Sequence, residues 1–543
     1  MTRWLDHLLV LPVVLPLVAG AVMLLIDEQH RILKTAISIG TIVALTGVAL
    51  ALLTVVDAPE SAAVWVYRLG DWPTPFAIVL VADRLSALML VLTSMLALAS
   101  MVFSVARWDR AGAHFRAMFQ FLLMGLNGAF LTGDLFNLFV WFELLLAASY
   151  GLVLHGSGTR RVRAGLHYIA VNLATSLLFL IGVSLIYGVT GTLNMADLAI
   201  RIPQVPAESR GLLESGAAVL GIAFLVKAGM WPLSFWLPTA YSAAAPPVAA
   251  MFSVMSKLGV YVVLRLWLLL FGADSGASAH FGGEWLAFAG IATIVFGAIG
   301  VLASQDIARL AGFSVLISSG TVMAVIATGQ VGVTGPALYY LVSSTLAIGA
   351  LFMLIELLER GREPGADVLA VTREAYGEDD GDDLVQTEEV GVAIPAAMAI
   401  LGLCFIGSTL VLAGLPPLSG FIAKFAVLTA LFSPPGAGMT ASVPALAWAL
   451  LGLLIFSGLM TLVAMTRAGI RTLWTRETVP RVRVIEIAPI VILLLATAAL
   501  TIQAGPVMRY MQAAASALYV PQDYMQGVLT APLGRIAPAK GGT

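Results

Sequence analysis

Along this chain apolar residues gather in blocks of about twenty, the length of helix that crosses a hydrocarbon core of about 30 Å, and polar residues are confined to the joints between them. The blocks predict fourteen helical spans, at residues 5–26, 33–56, 79–105, 113–131, 134–154, 164–189, 212–241, 246–271, 284–304, 307–328, 334–358, 391–432, 444–467 and 484–507. Two blocks are longer than a span needs, and both are interrupted by proline. Block seven contains Trp231-Pro232 and Pro238, so its helix is expected to stop at Pro232 and resume after Pro238; block twelve is expected to break at Pro417. A break at membrane depth frees backbone amides and carbonyls, which is tolerated only where they pack on protein or line a cavity.

The two breaks echo one another. WPLSFW at 231–236 resembles PPLSGF at 416–421, five spans later, with a lysine near each. A repeat of five helices, an odd number, enters the membrane from the opposite face the second time, and inverted repeats with paired broken helices are a transporter architecture. The expected organisation is therefore N-terminal helices at 1–112, a first five-helix repeat at 113–275, a second, inverted one at 276–470, and a last helix with its tail at 471–543.

Composition fixes the class. The chain is 60% hydrophobic and only 11% charged, against about a quarter charged residues in soluble domains. Its 52 glycines and 25 prolines are ordinary in transmembrane helices, where neighbours satisfy freed backbone groups, so the fold class read from the sequence is an all-α polytopic membrane protein. The first block is long enough to span and no polar domain follows it, so it reads as a span and not as a secretory signal. Arginines collect in the joints after odd-numbered spans, among them Arg160, Arg161, Arg163 and Arg467, which places those joints in the cytoplasm and both termini outside. The acidic joint at 360–389, with Glu378, Asp379, Asp380, Asp382 and Asp383, then reads as a solvated cytoplasmic loop or a docking strip for a basic partner. Cys404, alone in an apolar run, supports neither a disulfide framework nor a metal site.

Ionisable residues inside the apolar blocks carry the chemistry. Glu143 lies about nine residues into span five, or about 14 Å at 1.5 Å per residue, near the middle of the core. Lys257 lies at similar depth in span eight, Lys227 just before the first break and Lys424 just after the second. Four central charges, at about 2.5–3.5 kcal/mol each, would together cost roughly 10–14 kcal/mol if unpaired and dry. Pairing, water or neutralisation must relieve that cost, and burial disfavours the charged form of any ionisable group, so such sites are suited to proton exchange. Static ion pairing is the bland alternative for Glu143 and Lys257, and snorkelling to the interface is the bland alternative for Lys227 and Arg265. Asp83, Asp134 and Glu214 stand at span starts and read as interfacial. His155 and His167 flank one mouth of spans five and six; none of the six histidines lies mid-span. The sequence holds no Walker loop, dinucleotide fingerprint, zinc spacing or haem ligand pair, so no cofactor and no enzyme chemistry are expected, and energy must come from an ion gradient or a partner protein.

The run LTGDLFNLFVWFELLLAASYGLVLHG at 131–156, with KAGMWPLSFWLP, SKLGVY and GLPPLSGFIAKF, resembles the proton-translocating antiporter-like subunits shared by Mrp-type cation/proton antiporters and respiratory complex I, and the GDLFNLFVWFEL form is most similar to the D-type subunits of Mrp-type multisubunit Na+/H+ antiporters. The resemblance implies a secondary ion transporter subunit in a prokaryotic plasma membrane, assembled with other membrane subunits and handling protons and Na+, with no nucleic acid partner. It implies that Glu143 pairs with Lys227, that Lys257 is a relay lysine, and that Lys424 serves the second half-channel. One departure stands out: relatives carry histidines or a lysine in spans ten and eleven, whereas here Ser318, Tyr340, Ser343 and Ser344 occupy those stretches, so hydroxyls and water would have to bridge Lys257 and Lys424. The alternatives are a redox-driven proton pump subunit, powered by electron transfer in its partners, and a structural scaffold whose charges form static pairs.

Overall fold

Helices form wherever the apolar blocks run, because in lipid each backbone N–H and C=O must be satisfied within its own segment. A computed structural model of the chain describes residues 7–58, 64–360, 396–433, 444–474 and 482–530; apart from Arg360, the acidic joint at 360–389 lies outside the described residues. The helices are α1 (Leu11–Leu25), α2 (Arg31–Asp57), α3 (Arg84–Val105), α4 (Phe115–Leu131), α5 (Leu135–Leu154), α6 (Thr159–Thr190), the short α7 (Met195–Arg201), α8 (Ala207–Ala228), α9 (Trp236–Ala243), α10 (Pro246–Leu270), α11 (Gly283–Ala303), α12 (Ile307–Ile326), α13 (Val331–Glu359), α14 (Ala396–Ala413), α15 (Ser419–Phe432), α16 (Ala445–Gly469), α17 (Val484–Ile502), α18 (Ala504–Tyr519) and α19 (Gln522–Leu529). Twelve described helices are long and apolar enough to cross a membrane; α1, α4 and α15 are apolar but shorter.

The sequence reading runs span three back to residue 79, but Val79–Ala82 forms a strand, β2, paired antiparallel with β1 (Trp65–Arg68) from Trp65↔Ala82 to Arg68↔Val79. The helix starts only at Arg84 because Asp83 accepts the Ser86 N–H at 2.9 Å while Ser86 Oγ is 2.9 Å from the Asp83 N–H, a reciprocal cap. The hairpin, α7, α18 and α19 gather at one end of the bundle, where Thr74 Oγ1 donates to Leu529 O and Tyr510 OH donates to Arg84 O.

Both predicted breaks are present. α8 ends at Ala228 with Gly229 at φ +73°, and α14 ends at Ala413 with Gly414 at φ +78°, a left-handed turn that glycine adopts without a Cβ clash. After the first break the helix resumes at Trp236, earlier than the expected restart beyond Pro238. Pro238 sits in the first turn of α9, where its missing N–H removes no intrahelical bond. Groups freed by the break find partners: Trp231 N–H donates to Thr293 Oγ1 at 2.8 Å, and Val226 O accepts from Trp236 Nε1 at 3.3 Å.

At the centre stand α10, α12 and α13. The apolar stretch of α10 is wholly buried and those of α12 and α13 nearly so, whereas α2, α6, α16 and α17 bury only about a third of theirs. A helix that is apolar all round and enclosed by other helices is a core element even in a membrane protein. α10 approaches α8 closely because Gly259 offers no side chain: a Cβ there would lie 2.6 Å from Ala228 N.

Candidate functional site

The four mid-span ionisable residues are held by polar contacts, and among the described residues no carboxylate is the direct partner of the lysine at either break. Lys227, in the last turn of α8, donates from Nζ to Asn172 Oδ1 at 2.8 Å, and Asn172 is held in place because its Nδ2 donates to Tyr168 O at 2.8 Å. The Glu143 carboxylate, half-buried on α5, accepts from Ser176 Oγ. Phe142 fills the space beside the pair, its ring 5.7 Å from Lys227 Nζ. The expected direct Glu143–Lys227 contact is thus replaced by neutral α6 partners: among the described residues no ion pair joins the two. Asn172 and Ser176 went unremarked in the sequence; with Tyr168 they recur every four residues of an apolar span, which puts all three on one helix face.

Lys257 is fully buried in the middle of α10, and its Nζ donates to Ser319 Oγ on α12 at 2.8 Å. One residue back, Ser318 Oγ lies 2.7 Å from Ser344 Oγ on α13, and Ser344 also donates to the carbonyl of Tyr340, a buried residue one turn earlier. Next to it, Ser343 Oγ lies 2.7 Å from Ser419 Oγ, the first residue of α15. Lys424 follows five residues on. Hydroxyl contacts thus step from α10 through α12 and α13 to α15, across the stretch where the resemblance leads one to expect histidine, and all five serines are buried. Ser319 and Ser419 complete the sequence-predicted set; Ser419 is the serine of the second Pro-Leu-Ser, so the echo between the breaks had already marked it.

Lys424 folds back onto the first half of its own broken helix. Its Nζ donates to Ala413 O at 2.9 Å and lies 3.5 Å from Leu412 O, carbonyls that the break leaves without intrahelical donors. Both the aligned peptide dipoles and the free carbonyls favour a cation at a helix C-terminus, by about 0.3–1 kcal/mol when exposed and up to about 2 kcal/mol when partly buried. Glycines make the room: a Cβ on Gly414 would meet Lys424 Cδ at 2.6 Å, and one on Gly458 would meet Nζ at 3.3 Å. Lys227 stands differently at its break: it lies in the last turn of the half-helix that Gly229 ends, and its Nζ reaches Asn172 instead of the freed carbonyls. At both breaks, then, a lysine stands at the negative end of a half-helix.

The secondary candidates divide. Arg265 does not snorkel: it is buried, and its Nη2 donates to both Asp83 oxygens at 2.8 Å while Nε donates to Tyr261 OH at 3.0 Å. Asp83, at the start of α3, is correspondingly a buried ion-pair partner. His155 is buried against Phe115 with its Nε2 2.7 Å from Trp108 O, and burial pushes its imidazole below the ordinary 6.5. His167 is exposed and stacks on Phe235. Near His155 a vestibule of about 450 Å³ opens between Arg107, Trp108, Arg161, Glu356 and Arg360, with Tyr241 among its lining residues. Glu356, which sequence reading passed over, joins Trp108 Nε1 to Arg360, and Arg360 reaches on to Glu486 at 2.8 Å, so one network ties the α3–α4 joint to the ends of α13 and α17.

Fold and site define a class: a multi-pass membrane protein that buries ionisable side chains beside broken helices. Residues 132–443 match the family described as NADH:quinone oxidoreductase/Mrp antiporter, TM, and the chain belongs to that family. Over 536 residues, 98% of this chain and 99% of the other, it is 60% identical to the D-type subunit of a probable K(+)/H(+) antiporter of Rhizobium meliloti. It is 32% identical to the D-type subunit of the Na(+)/H(+) antiporter of Alkalihalophilus pseudofirmus, covering 96% of this chain and 99% of that one. The structure resembles a chain of the Mrp complex from Dietzia sp. with a TM-score of 0.80 at 26% identity, covering 97% of this chain and 100% of that one. A chain of respiratory complex I from Thermus thermophilus matches with a TM-score of 0.72 at 21% identity, over 94% of this chain and 99% of that one, a likeness of fold alone.

Proposed function

We propose that this chain is the proton-conducting subunit of a multisubunit cation/proton antiporter in a prokaryotic plasma membrane. The observation that carries the reading is the series of separate polar contacts made by Glu143, Lys227, Lys257, five serines and Lys424, which touches both broken helices. A proton arriving at Glu143 removes the negative charge that acts on Lys227. Lys227, held by the neutral Asn172 amide, is then free to pass its own proton toward Lys257, and the serine contacts carry the shift to Lys424. Five steps, from Glu143 to Lys227, from Lys227 to Lys257, between Ser319 and Ser318, between Ser344 and Ser343, and from Ser419 to Lys424, have no direct bond of their own and call for water or a side-chain rotation. The inverted pair of five-helix repeats expected from the two Pro-Leu-Ser sequences gives each half of the line its own break and its own lysine.

The partner subunits are other membrane proteins of the same complex. The relatives' names supply two cations: the protein at 60% identity is named for potassium and those at 32% for sodium, so potassium is the first to test and sodium the second. An antiporter is favoured over a redox-driven pump because both relatives above are named as antiporter subunits, whereas the respiratory complex I match is one of fold alone.

The experiment uses everted membrane vesicles from cells that produce the whole complex, with a fluorescent pH probe reporting the collapse of the proton gradient when KCl or NaCl is added. Glu143→Gln and Lys227→Ala are each expected to abolish the response while the subunits still co-purify. Wild-type exchange in both variants would sink the proposal, and iron-sulfur or quinone-binding subunits in the purified complex would shift it to the redox-driven reading.

A further inference from the structure

Beyond ion transfer, the structure carries a groove of about 900 Å³ between the first turns of α6, the helix α9 and the start of α12. Three arginines line it, Arg160, Arg163 and Arg309, with His167 beside them and a single acid, Asp306. That acid is already committed. Its Oδ2 accepts from Arg160 Nη2 at 2.7 Å, and its Oδ1 caps α12 by accepting from Ala308 N at 2.8 Å and Arg309 N at 3.3 Å. Arg163 and Arg309 are exposed and find no carboxylate among the described residues; the Arg309 guanidinium lies over the Phe313 ring, 5.8 Å from its centre. The groove therefore presents two uncompensated cations.

Toward the membrane the surface changes character. His167 stacks on the exposed Phe235, and Leu166, Leu173 and Leu177 form an exposed apolar stripe along one face of α6. Cations at one end of a groove and an apolar wall leading away from it match a molecule with a phosphate head and hydrocarbon chains. Basic pockets between helices at a membrane interface are suited to such head groups. The volume also exceeds the need of a free inorganic anion and lies in the range of an organic ligand.

We infer that this groove binds an anionic phospholipid, its phosphodiester between Arg163 and Arg309 and an acyl chain along Leu166, Leu173 and Leu177. The site is independent of the proton line, since none of these residues belongs to it.

The test uses the purified, delipidated complex. Phosphatidylglycerol in mixed micelles is expected to raise its melting temperature, with phosphatidylcholine and inorganic phosphate having no such effect at equal concentrations. Arg163→Gln and Arg309→Gln are each expected to weaken the phosphatidylglycerol response by roughly fivefold, and the double variant by roughly 30-fold, about 1 kcal/mol per cation. Lysine at both positions is expected to restore it. An equal response to inorganic phosphate would make this a small-anion site and overturn the proposal. So would an undiminished response in the glutamine variants, or a photocrosslink from position 163 to a neighbouring subunit that covers the groove. Native mass spectrometry of the wild-type complex gives a reading that needs no variant: anionic phospholipid retained through purification supports the proposal, and zwitterionic lipid alone overturns it.

Discussion

Gly259→Ala adds one methyl group where α10 crosses the end of α8. The new Cβ would stand 2.6 Å from Ala228 N and 3.0 Å from both Ala228 Cα and Lys227 C, whereas ordinary contact begins at 3.4 Å. All three atoms are backbone and cannot rotate away, so the helices have to separate by the difference, 0.8 Å, at the residues that carry Lys227 and stand two positions from Lys257. Overpacking of this kind costs about 1–3 kcal/mol, against about 0.5–1 kcal/mol that alanine returns over glycine within a helix. A displacement approaching 1 Å between groups that exchange a proton is expected to slow transport on the order of 100-fold. Gly221 supplies the control: it lies in α8, and a Cβ there meets nothing within 4 Å, so Gly221→Ala should be neutral or slightly stabilising. Both variants are assayed by gradient collapse in everted vesicles and by thermal melting of the purified complex. The result that refutes the reasoning is a Gly259→Ala complex as stable and as active as the Gly221→Ala one, because the close approach of α8 and α10 would then have no consequence.

Three further outcomes follow from the geometry. Ser343→Ala together with Ser419→Ala removes both partners of one hydroxyl contact, a change close to neutral for stability, and should lower antiport on the order of tenfold; full transport would exclude that contact from the route. Arg265→Ala leaves Asp83 buried without its cation and should cost about 3–5 kcal/mol, read as an earlier melt that Asp83→Leu with Arg265→Leu largely reverses; no change in melting would show the pair to be solvated. Burial holds the His155 imidazole below 6.5, with the Trp108 carbonyl and Asp109 opposing the shift and Arg161 adding to it. The unfolded chain therefore binds the proton first as pH falls: the stability is fully present above 6.5 and is lost as pH drops through the lower folded value. Melting of the wild-type complex between pH 7.5 and 5.5 should show that loss and His155→Gln should flatten it; identical profiles would exclude the histidine.

The helices were legible because lipid leaves a segment so few alternatives: a block of twenty apolar residues has to satisfy its own backbone, and proline has to break it. The hairpin was not, since Val79–Ala82 is as apolar as the helix it precedes and only the cap at Asp83 separates the two. The lysines and Glu143 stood out by their cost, but their partners did not. Asn172 and Ser176 were readable from a four-residue spacing, and Ser419 from the Pro-Leu-Ser echo, whereas Ser319 had no mark beyond its neighbour Ser318. The Asp83–Arg265 contact joins residues 182 positions apart and belongs to packing that no local pattern encodes.

On the proposed route the serine pairs give the link between the two halves a sense of direction. In each pair, Ser318 with Ser344 and Ser343 with Ser419, either oxygen can be the donor, Ser344 by giving up its bond to the Tyr340 carbonyl. A proton handed through such a pair enters at one oxygen and leaves from the other, and the hydroxyls are then reversed. The next proton from the same side finds the pair facing the wrong way until both groups turn. A histidine in that place would register each passage as a charge; the serines register it as an orientation, and the line works as a turnstile that must be reset between turns.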